Sequence, residues 1–119
     1  MATYDNLPVF KTSYDMLLEL FKVSNNFSRD YRFTIGEQIK KETIEMMMCV
    51  YRANKSFEGR KNWIGTAREK IETIRVLLRI LKDLKQVSLK KFISINEHIE
   101  SVSKQLAYWE NSLGGSTSK

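Results

Sequence analysis

The chain has 119 residues, of which 42% are hydrophobic and 29% charged, as is typical of one globular domain with a modest core. One proline and five glycines are few breakers, which favours long helices over a strand-and-turn fold. The single Cys49 excludes an internal disulfide, and neither a secretory leader nor the ~18-residue apolar run of a membrane span is visible. We therefore expect a cytoplasmic protein without a membrane partner.

The positive charge is concentrated in one part of the sequence. The 20 lysines and arginines exceed the 14 acidic residues by 6. Residues 60–87 carry eight cations against three anions, a net charge of +5, whereas residues 1–57 carry eight against seven. Any function that depends on charge is therefore expected to use the 60–87 segment.

The first predicted helix begins around Pro8, which is tolerated in a first turn because its missing N–H would have no partner there. It should end near residues 24–28, a polar cluster that favours turns. Apolar residues spaced alternately by three and four predict a stripe that faces neighbouring helices. That stripe consists of Leu7, Phe10, Tyr14, Leu17 and Phe21.

The second predicted helix begins at Thr34, because Thr34 and Glu37 have the spacing of a capping box. Gly59 is the predicted left-handed residue that ends it. Its predicted core stripe is Ile35, Ile39, Thr43, Met46, Val50, Ala53 and Phe57.

The third predicted helix begins within 60–66, where Thr66 and Glu69 form a second possible capping box. Its predicted core stripe is Ala67, Ile71, Ile74, Leu78 and Leu81. The fourth helix is expected to begin after Ser88, a favourable N-cap. Its stripe is an unbroken repeat: Phe92, Ile95, Ile99, Val102, Leu106, Trp109 and Leu113.

Four helices joined by short connections predict an all-α fold, an antiparallel up-down-up-down four-helix bundle. We expect one domain over residues 1–113. Residues 114–119, with the sequence GGSTSK, are expected to form a flexible tail.

The third helix has two surfaces besides its core stripe. On a helical wheel centred on Ala67, a group of cations lies between about 60° and 120°. This basic strip comprises Lys61, Arg68, Arg75, Arg79 and Lys82. A group of aliphatic residues lies between about 180° and 280° on the same wheel. This apolar flank comprises Val76, Leu77, Ile80 and Leu84.

The apolar flank has two interpretations. It could widen the contact with the core of its own bundle, since bundles are imprecise. Alternatively, it packs against another copy of the chain, which we favour because exposed aliphatics on successive turns otherwise promote aggregation.

The basic strip is either a solvated helix face or a phosphate-binding surface. Only Glu72 lies close to it on the wheel, so its charge is expected to be poorly neutralised. Three of its five cations are arginines, whose guanidinium groups can each bind two phosphate oxygens. The strip is therefore a candidate nucleic-acid-binding surface with little sequence specificity. A protein adaptor that docks an acidic partner is the alternative.

No catalytic constellation is evident, so we expect a protein that is not an enzyme and that needs no cofactor or metal. His98 is the single histidine, and no Cys/His cluster could hold zinc. An Arg separated from a His by four to six intervening residues marks small helical RNases of the HEPN type. Lys91, Phe92 and Ile93 occupy the corresponding positions here, so a nuclease centred on His98 is disfavoured.

The most distinctive stretch is FSRDYRFTIGEQI at residues 27–39. It resembles the F-P-R-x-x-R-F-T-[IL]-G-x-x-[IL] signature of Avd proteins, the accessory variability determinants of diversity-generating retroelements. Ser28 stands where proline is usual. The matching residues are Phe27, Arg29, Arg32, Phe33, Thr34, Ile35, Gly36 and Ile39.

The resemblance extends over about residues 7–113, because YDMLLEL at 14–20 and the Arg- and Leu-rich segment 67–88 also look like the family. The four-helix-bundle proteins encoded in intervening sequences of bacterial 23S rRNA genes are related and remain an alternative. Their version of the 27–39 link fits these residues less well.

The resemblance implies a non-enzymatic four-helix bundle that assembles into a positively charged homopentameric ring. It also implies binding to the element's reverse transcriptase and to its template RNA or cDNA, in support of mutagenic transfer into a target gene. Pentamer and polymerase are expectations from the family alone.

The 27–39 link also has a structural interpretation. Phe27 and Phe33 are expected to cover the end of the bundle. Arg29 and Arg32 either bond the carbonyls at the end of the first helix or contact nucleic acid directly.

Overall fold

A computed structural model describes residues 3–114. Their structure consists of a short 3-10 turn, Tyr4–Asn6, one single-turn helix and four long helices. In chain order the helices are α1 (Pro8–Ser24), α2 (Arg29–Arg32), α3 (Ile35–Lys55), α4 (Arg60–Asp83) and α5 (Leu89–Gly114). The predicted flexible tail lies outside the described residues except for its first position. No helix of the described part is long and apolar enough to cross a bilayer.

The four long helices form a bundle in which each packs against two others. Helix α1 contacts α3 and α5, and α4 contacts the same two helices from the opposite corner. Gln105 Nε2 donates to Thr12 Oγ1 over 3.2 Å, while Ser94 Oγ donates to Glu19 Oε1 over 3.1 Å, so α1 and α5 run antiparallel. The short α3–α4 and α4–α5 connections force the same orientation. The predicted all-α four-helix bundle is confirmed.

The predicted core stripes of the last three long helices are confirmed at nearly every position. Their central residues are at most 1% exposed and form one continuous core. They are Ile39, Met46, Val50 and Ala53 of α3, Ile71, Ile74, Leu78 and Leu81 of α4, and Ile95, Ile99, Val102 and Leu106 of α5. Phe57 is the exception, because α3 ends at Lys55 and leaves its ring exposed.

The predicted stripe of α1 is wrong at two of its five positions, whereas Leu7, Phe10 and Leu17 pack half-buried against the core. Tyr14 and Phe21 are nearly half exposed, and the helix is rotated so that its other apolar stripe faces the core. Ser13 interrupts that stripe in the sequence, but its hydroxyl donates to the Val9 carbonyl over 2.7 Å and is therefore tolerated in the core. The buried stripe is Val9, Ser13, Met16, Leu20 and Val23.

The two predicted capping boxes are also wrong. Thr34 Oγ1 donates back to the Asp30 carbonyl over 2.9 Å, so Thr34 does not cap α3 with its side chain. Thr66 lies in the interior of α4, where its hydroxyl donates to the Asn62 carbonyl over 3.1 Å. The N-cap at Ser88 is confirmed, because its hydroxyl accepts from the backbone N–H of Lys91 over 3.1 Å.

Gly59 is not a left-handed stop, since it has φ −89° and immediately precedes α4. The left-handed residue is Lys85, with φ 62°, at the end of α4. The backbone N–H of Lys85 donates to the Lys82 carbonyl, and the next N–H, of Gln86, donates to the Leu81 carbonyl. This is a Schellman turn with lysine in the position that glycine usually occupies.

Candidate nucleic-acid interface

The basic strip lies along the side of α4 that faces α5. Lys61 is in its first turn and Lys82 in its last, so the two ends of the strip are about 30 Å apart at 1.5 Å per residue. Lys82 Nζ lies 4.9 Å from the centre of the Phe92 ring of α5. The strip is therefore a single continuous surface in the groove between the two helices.

Carboxylates of the same chain pair with all three arginines of the strip. Arg68 Nη1 pairs with Glu110 of α5. Arg75 pairs with Glu72 of its own helix, at 3.1 Å from Nε, and with Glu100 of α5. Hydrogen bonds to Glu72 and then to Glu100 raise the pKa of Arg75 above its usual value.

The expectation that the charge of the strip is poorly neutralised is thus wrong for its three arginines. Glu100 and Glu110 belong to α5, 25 and 42 residues further along the chain than their partners, so a wheel drawn for α4 does not contain them. Arg79 Nε also pairs with Asp83, at 3.3 Å. Lys61 forms no ion pair or hydrogen bond in the described part of the chain.

The apolar flank is divided between exposed and buried residues. Val76 is 57% exposed and Ile80 is 39% exposed, on the side of α4 opposite its core. Leu77 is only 7% exposed, so its assignment to an intersubunit surface is wrong: it points toward α3 and joins the core. Leu84 follows the last turn of α4 and is half-buried. The exposed part of the flank is therefore Val76 and Ile80.

One end of the bundle carries cations that, apart from Arg29, sequence reasoning missed. The Ser28 backbone N–H donates to Gln86 Oε1 over 2.7 Å, which joins the α1–α2 link to the α4–α5 turn. This contact brings together the end of α1, α2, the end of α4 and the start of α5. Exposed cations with no ion pair among the described residues lie at this end, and we call them the basic end: Lys22, Arg29, Lys85, Lys90 and Lys91.

The basic end continues the strip, because Lys85 lies in the turn that ends α4, three residues after Lys82 of its last turn. The sequence contained a signal for it. In an up-down-up-down bundle the first and third connections lie at the same end, so cations flanking residues 25–34 and 84–88 must come together. A count of charges along the sequence does not reveal this cluster, because its cations come from segments that are distant in sequence.

Comparison with protein families identifies the chain. The bAvd-like family matches residues 9–113, which covers nearly the whole bundle. The chain belongs to the bAvd-like family. The resemblance of the 27–39 link to Avd proteins is thereby confirmed, and the chain is an Avd-type accessory protein. No curated protein matches its sequence.

The 27–39 link of this bAvd-like chain is held by backbone contacts. Arg32 Nη2 donates to the carbonyls of Asn25 and Phe27, at 3.1 and 3.2 Å, and so closes the turn after α1. Arg29 is exposed and makes no such bond. Phe27 is buried, whereas Phe33 is 64% exposed and does not cover the bundle end as expected. Arg32 is therefore structural, and Arg29 is available to a ligand.

The other candidate groups of the bAvd-like chain are His98 and Cys49, and the buried Nδ1 of His98 has no hydrogen-bond partner among the described residues. His98 Nδ1 lies 3.4 Å from Glu19 Oε1 between α5 and α1. Cys49 is buried, and burial raises the pKa of its thiol. The described residues contain no group of three or more His, Cys, Asp or Glu side chains that could hold a metal ion.

Proposed function

We propose that the chain is a non-enzymatic accessory protein of a diversity-generating retroelement. It assembles into a homo-oligomeric ring, pentameric as in the Avd proteins it resembles, and binds the reverse transcriptase together with template RNA or cDNA. In this way it supports mutagenic retrohoming. Membership of the bAvd-like family motivates the role, and the location of the unpaired cations supports nucleic-acid binding.

The basic end is the observation that carries the proposal. Cations without carboxylate partners release counterions when they meet phosphates, which supplies affinity with little dependence on sequence. Lys90 and Lys91 lie in the first turn of α5, where the helix dipole adds positive potential. Repetition of this end around a ring multiplies the field that attracts a polyanion.

The strip contributes despite its ion pairs. Exposed pairs such as Arg79–Asp83 contribute about 0–1 kcal/mol, so a phosphate can replace the carboxylate at small cost. The residues of the strip that lie nearest to the basic end are Arg79 and Lys82, so we expect phosphates bound at that end to reach them first. The strip continues along α4 through Arg75, Arg68 and Lys61. To bind phosphate there, Arg75 must release Glu100 and Arg68 must release Glu110.

The arginines of the strip bind carboxylates within the chain, so they can also bind the carboxylates of another protein, and the alternative function is an adaptor whose strip docks an acidic partner. Such an adaptor would bind the reverse transcriptase without affinity for RNA. A binding assay with each component alone separates the two functions.

Charge reversal tests the proposed surface. We expect Lys90→Glu with Lys91→Glu to weaken binding of single-stranded RNA at least about tenfold, and to reduce the slope of log K against log[salt] by roughly one per lost phosphate contact. Arg75→Glu with Arg79→Glu should weaken binding less, since each arginine is partly neutralised already. Fluorescence anisotropy at several salt concentrations measures both quantities.

The matched control is Lys11→Glu with Lys104→Glu, which changes the net charge equally but lies away from the strip and the basic end. We expect a change of no more than about threefold for it, from the loss of long-range attraction alone. Equal losses in the control and in the basic-end variant would refute the assigned surface. A wild-type chain that binds no RNA would refute nucleic-acid binding altogether.

A further inference from the structure

Helix α3 has an exposed stripe on the side opposite its core. Ile44 is 42% exposed and Met48 is 38% exposed, although both are apolar. Lys41 precedes Ile44 by three residues and forms no ion pair in the described part of the chain. Lys55 follows Met48 by seven residues, with its Nζ 5.5 Å from the Tyr51 ring. We call Lys41, Ile44, Met48 and Lys55 the α3 stripe.

Helix α4 has a stripe of the same design with the opposite charge. Val76 and Ile80 are its exposed apolar centre. Glu69, seven residues before Val76, forms no ion pair among the described residues. Asp83, three residues after Ile80, makes only an exposed pair with Arg79. We call Glu69, Val76, Ile80 and Asp83 the α4 stripe.

The two stripes match when one helix is reversed. Along α3 the spacings are three, four and seven residues, and along α4 they are seven, four and three. An antiparallel alignment therefore sets Met48 against Val76 and Ile44 against Ile80. The same alignment sets Lys55 against Glu69 and Lys41 against Asp83.

The parallel alignment lacks this complementarity. With Ile44 against Val76 and Met48 against Ile80, Lys41 would face Thr73 and Lys55 would face Val87. Neither residue carries a charge, and Val87 is buried in its own chain. The charges thus select the antiparallel orientation.

The positions of the stripes on the bundle fit a closed assembly. Helices α3 and α4 are neighbours, so their outward directions differ by roughly 90° in a four-helix bundle. Copies arranged around an axis parallel to the bundle all point the same way, which makes α3 of one copy antiparallel to α4 of the next. A heterologous contact with such an angle closes into a ring. Leu18 lies on the exposed side of α1, diagonally across from α4, and contact there would instead propagate an open filament.

We propose that the α3 stripe of one copy packs antiparallel on the α4 stripe of the next, with Met48 against Val76, and that this contact builds the ring. The inference rests on the proposed function, because it names the surfaces by which that ring assembles. Each copy uses both stripes, one toward each neighbour.

Site-directed cross-linking tests the register. In a Cys49→Ala background, the pair Met48→Cys with Val76→Cys should react with a short bis-maleimide to give a ladder of covalent multimers that ends at the ring. Each single variant should remain a monomer on a denaturing gel, because a heterologous contact never brings two copies of one position together. Circular dichroism checks that these exposed substitutions leave the helices intact.

The control pair is Leu18→Cys with Val76→Cys, which should give no ladder. A ladder from this control and none from the Met48–Val76 pair would overturn the inference and identify α1 as the partner. A wild-type oligomer in which neither pair cross-links would overturn the register while leaving the proposed ring. A wild-type monomer would overturn both, so the failures are distinguishable by mass.

Discussion

Gly36 is the residue on which the 27–39 link depends most closely. A Cβ at this position would lie 2.9 Å from the Tyr31 carbonyl oxygen and 3.0 Å from the Phe27 ring. Both neighbours are constrained, since Phe27 is buried and the Tyr31 oxygen belongs to the backbone of α2. The glycine of the family signature thus allows the link to pack directly on the start of α3.

Gly36→Ala is expected to destabilise the chain, although alanine is intrinsically better than glycine in a helix by about 1 kcal/mol. The clash with a backbone oxygen outweighs that gain, and we expect a net loss of about 1–3 kcal/mol. Chemical denaturation followed by circular dichroism measures it.

Gly65→Ala is the matched control, because it lies inside α4 and its Cβ would meet only Glu110 Oε2, at 3.9 Å. We expect this variant to gain up to about 1 kcal/mol. Two variants that change stability in the same direction would show that packing at Gly36 is not the constraint.

The two arginines of the link show the limit of prediction for single residues. Both were candidates for bonding the end of α1, yet Arg32 does so and Arg29 does not. The difference depends on the direction in which the one-turn helix α2 projects each side chain. No spacing rule predicts α2, because it is a single turn held by its neighbours.

Among the helices, α4 is the one that has three separate surfaces, each with a different role. Its core side, its strip toward α5 and its outward stripe occupy different sectors of one helix. The periodicity of residues 60–87 predicted the core and the strip. It misplaced Leu77, because a wheel does not reveal how far the neighbouring helix α3 extends around α4.

The position of Leu77 gives a prediction that separates core from surface. Leu77→Lys should cost about 2–5 kcal/mol and reduce helicity or solubility, because it buries a charge and removes core packing. Val76→Lys should leave the thermal melt of the helices nearly unchanged at low protein concentration. Similar melts for the two variants would contradict the division of the flank into a buried and an exposed residue.

The four long helices were predictable from the sequence, but their ends and the rotation of α1 about its own axis were not. Apolar periodicity predicted all four long helices, because burial of one stripe dominates their stability. For α1 the sequence offers two apolar stripes, and Ser13 can lie in the more deeply buried one because its hydroxyl bonds the Val9 carbonyl within the helix. The capping boxes failed because a threonine hydroxyl can bond a carbonyl one turn earlier equally well.

At the scale of the whole molecule, the charge distribution follows from the topology. Carboxylates of α5 reach the arginines of α4, while cations from both connections at one end remain unpaired. Neither feature is visible in a single segment, because each depends on which helices are neighbours. The sequence predicted that the molecule is basic, and the fold determines where the charge is available.

The proposed ring and its α3–α4 contact both require that α4 contacts a second copy of the chain. The most direct measurement is the mass of the purified wild-type chain by light scattering at micromolar concentration, beside that of Val76→Lys. We expect a closed oligomer of several copies for the wild type and smaller species with intact helices for the variant. A wild-type mass of 14.0 kDa, that of the single chain, would contradict the ring and the α3–α4 contact that builds it.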